Sequence, residues 1–491
     1  MDFVINDLMQ SCGVKFGTSG ARGLAVEMTD RVCYTYTRGF LQYLEQTGEL
    51  TKNGESVAIA GDLRPSTGRI MTAVARAASD MGYAPVNCGR IPSPAVALYG
   101  LKNHCPAIMV TGSHIPADRN GIKFNKVSGE ILKSDESGIV SQVVTLQEGL
   151  VDADGAFVDA VFDIPAEDPT ARADYIARFL DAFPSDCLSG QKIGIYQHSA
   201  VGREDLVEIF SGLGAEVIPL GASDTFIPVD TEAIREEDVA LARQWSQEHR
   251  FDTILSTDGD SDRPLISDEK GEWLRGDIAG ILAAHYLGAD SVSTPVSCNS
   301  ALEQTGWFSD IRRTKIGSPF VVASMIEAVE TGCHGIVGYE ANGGFLTNSV
   351  FPVFGSELSP LPTRDAVLPV LSIILLSIKE GKPISGLLSA LPQRFTVSDR
   401  IQDFPTEESA KILDRFDDPA AIEDAFGEAF GRITVIDRTD GLRITFESQE
   451  VLHMRPSGNA PEFRCYNEAA TQSRALEIQQ TAMAILLRLK G

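Results

Sequence analysis

The chain of 491 residues predicts an α/β fold built as three similar units, followed by a C-terminal α+β unit. Three observations carry that reading. Strand-like and helix-like stretches alternate in three successive series, each ending an apolar strand in a polar loop. The length exceeds what a single hydrophobic core can organise and implies about three or four domains. Past residue 388 the pattern changes to short alternating strands with turn signals and one closing amphipathic helix.

In the first series Val32, Tyr36, Phe40 and Tyr43 recur at helical spacing, and residues 56–60 form a short strand ending at Gly61-Asp62. Ser66-Thr67 is expected to cap a helix over 70–81, with Met71, Val74, Ala75 and Ala78 on one face. A strand over 83–86 and another over 107–110 complete the unit, and the strand–helix–strand order predicts a parallel sheet covered by helices. The second series places strands at 192–196, 215–219 and 251–255 around a helix at 204–213. In the third, helices at 278–286 and 321–329 flank a strand at 291–297, and 335–338 is the last strand. The apolar run 366–378 contains Pro369 and Ser372 and is too short to span a bilayer, so it reads as a buried helix. In the last unit, strands at 432–436, 442–446 and 451–454 turn at Thr439-Asp440-Gly441, and a helix at 475–489 closes the chain. The domain boundaries expected from this pattern are 1–158, 159–271, 272–388 and 389–491.

Charge narrows the function. Forty-two Lys and Arg against 68 Asp and Glu leave a net charge of −26, which repels nucleic acid and anionic membrane. An anionic substrate must then be drawn in by local clusters of Arg and Lys. The eight cysteines show no C-x-x-C pair or regular spacing, so neither a zinc site nor a disulfide framework is expected, and a reducing cytoplasm fits. Residues 1–7 lack the basic start and apolar stretch of a secretion signal. The oligomeric state is open between monomer and homodimer.

Four loops carry chemistry. The strand at 107–110 delivers Thr111-Gly112-Ser113-His114-Ile115-Pro116 at its C-terminal end, where open α/β sheets place ligands. Ser113 is the candidate nucleophile, with His114 and Lys123 expected to bring donors near its hydroxyl. Asp258-Gly259-Asp260-Ser261-Asp262-Arg263 follows the strand at 251–255 with carboxylates at alternating positions, a set suited to one hard cation such as Mg²⁺. An EF-hand is rejected because Arg263 stands where that loop needs glycine, Pro264 follows, and a strand leads in. Tyr339-Glu340-Ala341-Asn342-Gly343-Gly344 could bind sugar hydroxyls or form a turn. Arg455-Pro456-Ser457-Gly458-Asn459-Ala460-Pro461, with Arg464 beyond it, offers the guanidinium, hydroxyl, amide and backbone donors that a phosphate dianion requires.

In their order and residues these loops resemble the α-D-phosphohexomutase family, the phosphomannomutases and phosphoglucomutases, over essentially the whole chain. Lys15-Phe16-Gly17-Thr18-Ser19-Gly20-Ala21-Arg22-Gly23 resembles the family's N-terminal segment, which supplies an active-site arginine. The resemblance implies four domains in a heart-shaped arrangement around a central cleft. It also implies a phosphoserine mechanism at Ser113 that interconverts hexose 6-phosphate and hexose 1-phosphate through a hexose 1,6-bisphosphate, which also serves as activator. One Mg²⁺ would be held by Asp258, Asp260, Asp262 and a phosphoserine oxygen. Lys123, Arg22, Arg263 and His114 match the positions for acid/base work and phosphoryl stabilisation. Glu340 and Asn342 match the sugar contacts, and Arg455, Ser457, Gly458, Asn459 and Arg464 the grip on the non-reacting phosphate.

Two departures bear on the substrate. The family's sugar loop commonly reads Gly-Glu-x-Ser-Gly-His, whereas here Asn342 replaces the serine and Gly344 stands at the histidine position. Glu-Ala-Asn-Gly resembles acetylglucosamine-phosphate mutases, while Arg-Pro-Ser-Gly-Asn-Ala-Pro with Arg464-Cys465-Tyr466 resembles bacterial phosphomannomutases. Mannose phosphate is the expected substrate on the longer match. Glucose, glucosamine or acetylglucosamine phosphate, or a catalytically silent sugar-phosphate-binding homologue, are the alternatives.

Overall fold

A computed structural model describes residues 2–17, 20–51, 55–158, 162–457 and 462–489. The chain divides into two compact units, one of residues 1–292 and 317–386, the other of residues 293–316 and 387–491.

The first part of the larger unit runs β1 (Ala21–Leu24), α1 (Asp30–Thr47), β2 (Ser56–Gly61), α2 (Thr67–Asp80), β3 (Ala84–Arg90), α3 (Ser93–Asn103), β4 (Ala107–Val110) and β5 (Arg119–Lys126). Thr29 Oγ1 accepts from the Val32 N–H to start α1, and Gly48, at φ 77°, ends it in the left-handed region that glycine adopts freely. The strands lie in the order β3-β2-β4-β5-β1. Only β2 pairs in parallel, with β3 and β4, whereas β5 runs antiparallel to both β4 and β1. The expected parallel sheet is therefore parallel only over the three strands at one edge, β3, β2 and β4. Chain reversal at the Ser113 loop, marked by Pro116, sends β5 straight back along β4.

The expected cap at Ser66-Thr67 also differs. The helix begins at Thr67 without a side-chain cap from Ser66. Both hydroxyls serve tertiary contacts instead: Asn120 Nδ2 donates to each, and Thr67 donates to Asp62 Oδ1.

The second part repeats the plan with α4 (Thr170–Leu180), β6 (Lys192–His198), α5 (Arg203–Gly212), β7 (Glu216–Ala222), α6 (Glu236–His249), β8 (Thr253–Thr257) and β9 (Pro264–Ile266). β6 pairs in parallel with β7 and β8, and β9 returns antiparallel along β8. A third part carries α7 (Gly276–Leu287), α8 (Ser318–Glu330), β10 (Ile336–Tyr339), β11 (Phe345–Thr347), β12 (Leu361–Asp365) and α9 (Val367–Glu380). Here β11 pairs antiparallel with both β10 and β12. Pro369 lies in the first turn of α9, where its missing N–H has no intrahelical partner to lose, so the apolar run continues as one helix packed on α7. The three parts share one device. In each, an apolar strand enters a polar loop and the next strand folds back beside it, which confines three loops to short, rigid reversals.

The smaller unit is an antiparallel sheet in the order β13-β17-β16-β15-β14, from β13 (Phe395–Ile401), β14 (Ile433–Asp437), β15 (Leu442–Phe446), β16 (Val451–Pro456) and β17 (Phe463–Ala469). Helices α10 (Thr406–Arg415), α11 (Pro419–Phe430) and α12 (Gln472–Leu489) accompany it. Its core gathers Phe404, Phe416, Phe426, Phe430, Phe446 and Phe463, each worth about 1.5–3 kcal/mol of burial. Among the described residues no helix is long and apolar enough to cross a membrane.

Candidate active site

Ser113 sits where β4 turns into the return strand, fully buried and at φ 56°, a left-handed conformation that costs a non-glycine residue of order 1–3 kcal/mol unless its surroundings hold it. They do. Ser113 N–H donates to Thr111 Oγ1, whose hydroxyl donates to Asp62 Oδ2. Arg64, 2% exposed, spends all five guanidinium N–H groups nearby: Nε on Asp62 Oδ2, and the others on the carbonyls of Ser113, Ile115, Pro116 and Arg119 at 2.6–3.1 Å. A Cβ on Gly112 would lie 2.7 Å from that guanidinium carbon, so close approach, not φ, demands the glycine.

The Ser113 hydroxyl donates to Asp258 Oδ2 at 2.6 Å. Asp258, Asp260 and Asp262 form a buried cluster with oxygens within 4.8 Å of one another. Lys123 on β5 reaches Asp260 Oδ2 at 2.5 Å and Asp262 Oδ2 at 2.6 Å, and Ser93 donates to Asp260 Oδ2. Lys123, expected beside the serine hydroxyl, thus spans the carboxylates that face it. Asp260 Oδ1 and Asp262 Oδ1 are buried without a hydrogen-bond partner. Burial and its two acidic neighbours push the Asp258 carboxyl well above the carboxylate range. Burial opposes ionisation of Asp260 too, but Lys123 and Ser93 hold it below that range. Crowded carboxylates with two orphaned oxygens fit a divalent cation that prefers oxygen ligands.

His114 does not supply a donor to the serine. Arg263 Nη1 donates to His114 Nδ1 at 2.9 Å, and a guanidinium cannot accept, so the nitrogen facing Ser113 Oγ, 3.3 Å away, is the unprotonated one. Burial, then Arg263 and Arg22, lower its pKa to about 2 and keep the ring neutral. Arg22 on β1 lies opposite Gly121, its own pKa lowered to about 10 by burial and by Arg263 and Arg364.

In the third loop Glu340 is buried, and its Oε2 accepts from Arg364 Nη1 at 3.3 Å. Asn342 Oδ1 accepts from the Gly344 N–H, and its carbonyl from the Thr231 hydroxyl. Both side chains face inward, but Asn342 uses its amide oxygen to shape the turn. In the smaller unit Arg455 on β16 lies directly opposite Arg464 on β17, which lies opposite Arg400 on β13. Three guanidiniums abreast repel one another, and Glu462 and Asp440 offset this only in part, at 3.4–3.6 Å. Ser457 N–H donates to the Glu462 carbonyl. Gly458 and Asn459 lie outside the described residues.

Models of the phosphoglucomutase/phosphomannomutase family match the chain in series: alpha/beta/alpha domain I over residues 13–149, domain II over 173–271, domain III over 275–395 and the C-terminal domain over 404–485. The chain belongs to the phosphoglucomutase/phosphomannomutase family. It is a phosphohexomutase, an isomerase that works by phosphoryl transfer, with three α/β domains and an α+β domain. A phosphomannomutase of Salmonella muenchen is 42% identical over 97% of this chain and 96% of its own length. One of Sinorhizobium fredii is 41% identical over 96% and 99%. A crystal structure of a family protein from Burkholderia thailandensis has the same fold, with a TM-score of 0.73 at 18% identity and 98% coverage of both chains.

Sequence reasoning missed several residues around the mutase loops. Asp62 and Arg64 lie in a turn of ordinary composition, Ser93 opens α3, and Arg364 and Arg400 lie on strands outside any motif. A buried ion pair announces itself in sequence only as a charge amid apolar residues, and Arg364, before the apolar helix α9, carried that signal.

Proposed function

We propose that this phosphohexomutase is a phosphomannomutase, interconverting mannose 6-phosphate and mannose 1-phosphate through phosphorylated Ser113. The observation that carries the mechanism is the Ser113 hydroxyl on Asp258, at the edge of a carboxylate cluster buttressed by Lys123. Two relatives that share more than 40% of its residues, both phosphomannomutases, support the choice of hexose. Ser113, phosphorylated in the working form, gives its phosphoryl group to the free hydroxyl of the hexose monophosphate. It then takes back the other phosphoryl group from the hexose 1,6-bisphosphate.

Asp258, Asp260 and Asp262, with a phosphoserine oxygen, would hold Mg²⁺, which supplies charge neutralisation to the transferring group. Arg22 and Arg263 face the negative charge that gathers on that group, Lys123 is placed to relay the substrate hydroxyl proton, and neutral His114 accepts from Arg263 and orients it beside Ser113. Glu340 binds sugar hydroxyls, while Asn342 shapes the loop that presents it. Arg455, Ser457, Gly458, Asn459 and Arg464 grip the phosphate that is not reacting. A cytoplasmic setting suits eight cysteines that are not joined in disulfides.

A coupled assay with mannose, glucose, glucosamine and N-acetylglucosamine 1-phosphates side by side tests the substrate. Mannose 1-phosphate should show the highest kcat/KM, and a preference for any other sugar refutes the assignment. Ser113→Ala should lose turnover to background and carry no phosphoryl adduct by intact mass, while still binding metal. Turnover surviving in that variant would remove Ser113 from the mechanism.

A further inference from the structure

Gly344 is a glycine for want of space. Its φ is outside the left-handed region, so its backbone suits any residue. A Cβ there would stand 2.5 Å from Arg364 Cδ and 2.7 Å from Arg364 Cγ, which no real contact tolerates. The volume is taken by the stem of Arg364, which enters from β12 and is 3% exposed. Its head lies between two loops: Nε donates to Asp262 Oδ2 at 3.0 Å, and Nη1 to Glu340 Oε2 at 3.3 Å. Burial works against its charge, but Asp262, Glu340 and Glu130 together hold its pKa above the usual arginine value.

We propose that Arg364 is a positioning residue that couples the sugar loop to the metal loop, and that residue 344 is glycine so that its stem can pass. The proposal rests on the reading of Glu340 as a sugar contact. Two effects of opposite sign distinguish it from simple loop support. Arg364 aims the Glu340 carboxylate, so its loss weakens the sugar. It also offsets part of the negative charge of Asp262, so its loss strengthens the hold of the carboxylates on a divalent ion. A side chain that merely propped the loops would weaken both.

Isothermal titration of the dephosphorylated enzyme, which has no phosphoryl group to transfer, with Mn²⁺ alone and with mannose 6-phosphate in the presence of saturating Mn²⁺, tests this without turnover. Arg364→Ala should tighten Mn²⁺ by about fivefold and weaken mannose 6-phosphate by about tenfold. Gly344→Ala should weaken the sugar phosphate by a similar factor in the wild-type background, yet add less than about twofold on top of Arg364→Ala, because the clashing stem is gone. Arg364→Lys keeps the charge but cannot fork, so it should hold Mn²⁺ near the wild-type affinity and still lose sugar affinity. With Gly344→Ala it supplies the answer if Arg364→Ala fails to fold. Weaker or unchanged Mn²⁺ binding in Arg364→Ala, or additive costs in the double variant, overturns the proposal. If wild type prefers another hexose phosphate, the substrate reading falls, and the same series titrated with that sugar still decides the coupling.

Discussion

Arg64 and Arg364 are both buried and both flank a reacting loop, yet they are satisfied in opposite ways. Arg64 meets the carboxylate of Asp62, two residues before it, and four backbone carbonyls between Ser113 and Arg119. Arg364 meets the carboxylates of two different loops. Carbonyl partners have fixed positions and no charge to exchange, so Arg64 acts as a brace that holds Ser113 in its left-handed conformation. Carboxylate partners change their demand when a metal ion or sugar arrives, so Arg364 acts as a link. A guanidinium therefore stiffens or communicates according to whether its acceptors are dipoles or ions.

That contrast is open to being broken, and the largest effect belongs to the brace. Arg64→Met removes the counter-charge of buried Asp62 and the guanidinium donors to four carbonyls, and should cost about 3–5 kcal/mol in urea unfolding. Its turnover should fall because Ser113 loses its conformation. A loss nearer 1 kcal/mol would show that the loop holds itself. The link should respond differently to metal. In thermal melts, Arg364→Gln should be destabilised without divalent ion and recover more of its loss on adding Mn²⁺ than Arg64→Met does. At one hundred times Kd a bound ion returns about 2.7 kcal/mol, and Asp262, one of the two carboxylates that Arg364 leaves, is among the three that would hold the ion. Equal recovery in the two variants would erase the distinction.

The smallest effect concerns pH. Neither guanidinium loses its charge near neutrality, so mild acid sensitivity falls to other groups. His198 and His453 each donate from Nε2 to a carbonyl, of Thr257 and Asp440, and each buried Nδ1 has no partner. Burial lowers both to about 4. Above the unfolded value near 6.5 neither state binds the proton. Below it the unfolded chain does and the folded chain does not, so the contribution of these two rings to stability should fall as pH drops from about 6.5 to about 4 and then level off. His453→Gln should flatten that slope while leaving the Arg64 and Arg364 effects unchanged. An unaltered slope would place the sensitivity elsewhere.

The legibility of these features followed their locality. Ser113, Asp258, Asp260, Asp262 and Lys123 were readable because each loop packs its chemistry into a few consecutive residues after an apolar strand, and the structure brings those residues together. What Lys123 and His114 do there was not readable, since the partner of each belongs to the metal loop, some 140 residues on. The antiparallel return strands were missed for a related reason. A strand of three residues such as β9 has too few alternations to reveal its direction, which only its neighbour sets. Gly344 marks the boundary most clearly: the sequence shows a missing side chain, and the volume that Arg364 fills explains it.

By itself the sequence determined the α/β periodicity, the four loops and the chemistry each can offer, because strand pattern, turn residues and short motifs are local properties of the chain. Tertiary structure alone decided that Arg64 braces one loop and Arg364 joins two, and which nitrogen of His114 faces the serine. Those outcomes depend on burial, where an unpaired charge is too costly to persist and each buried donor must find whichever acceptor the packed strands place within reach.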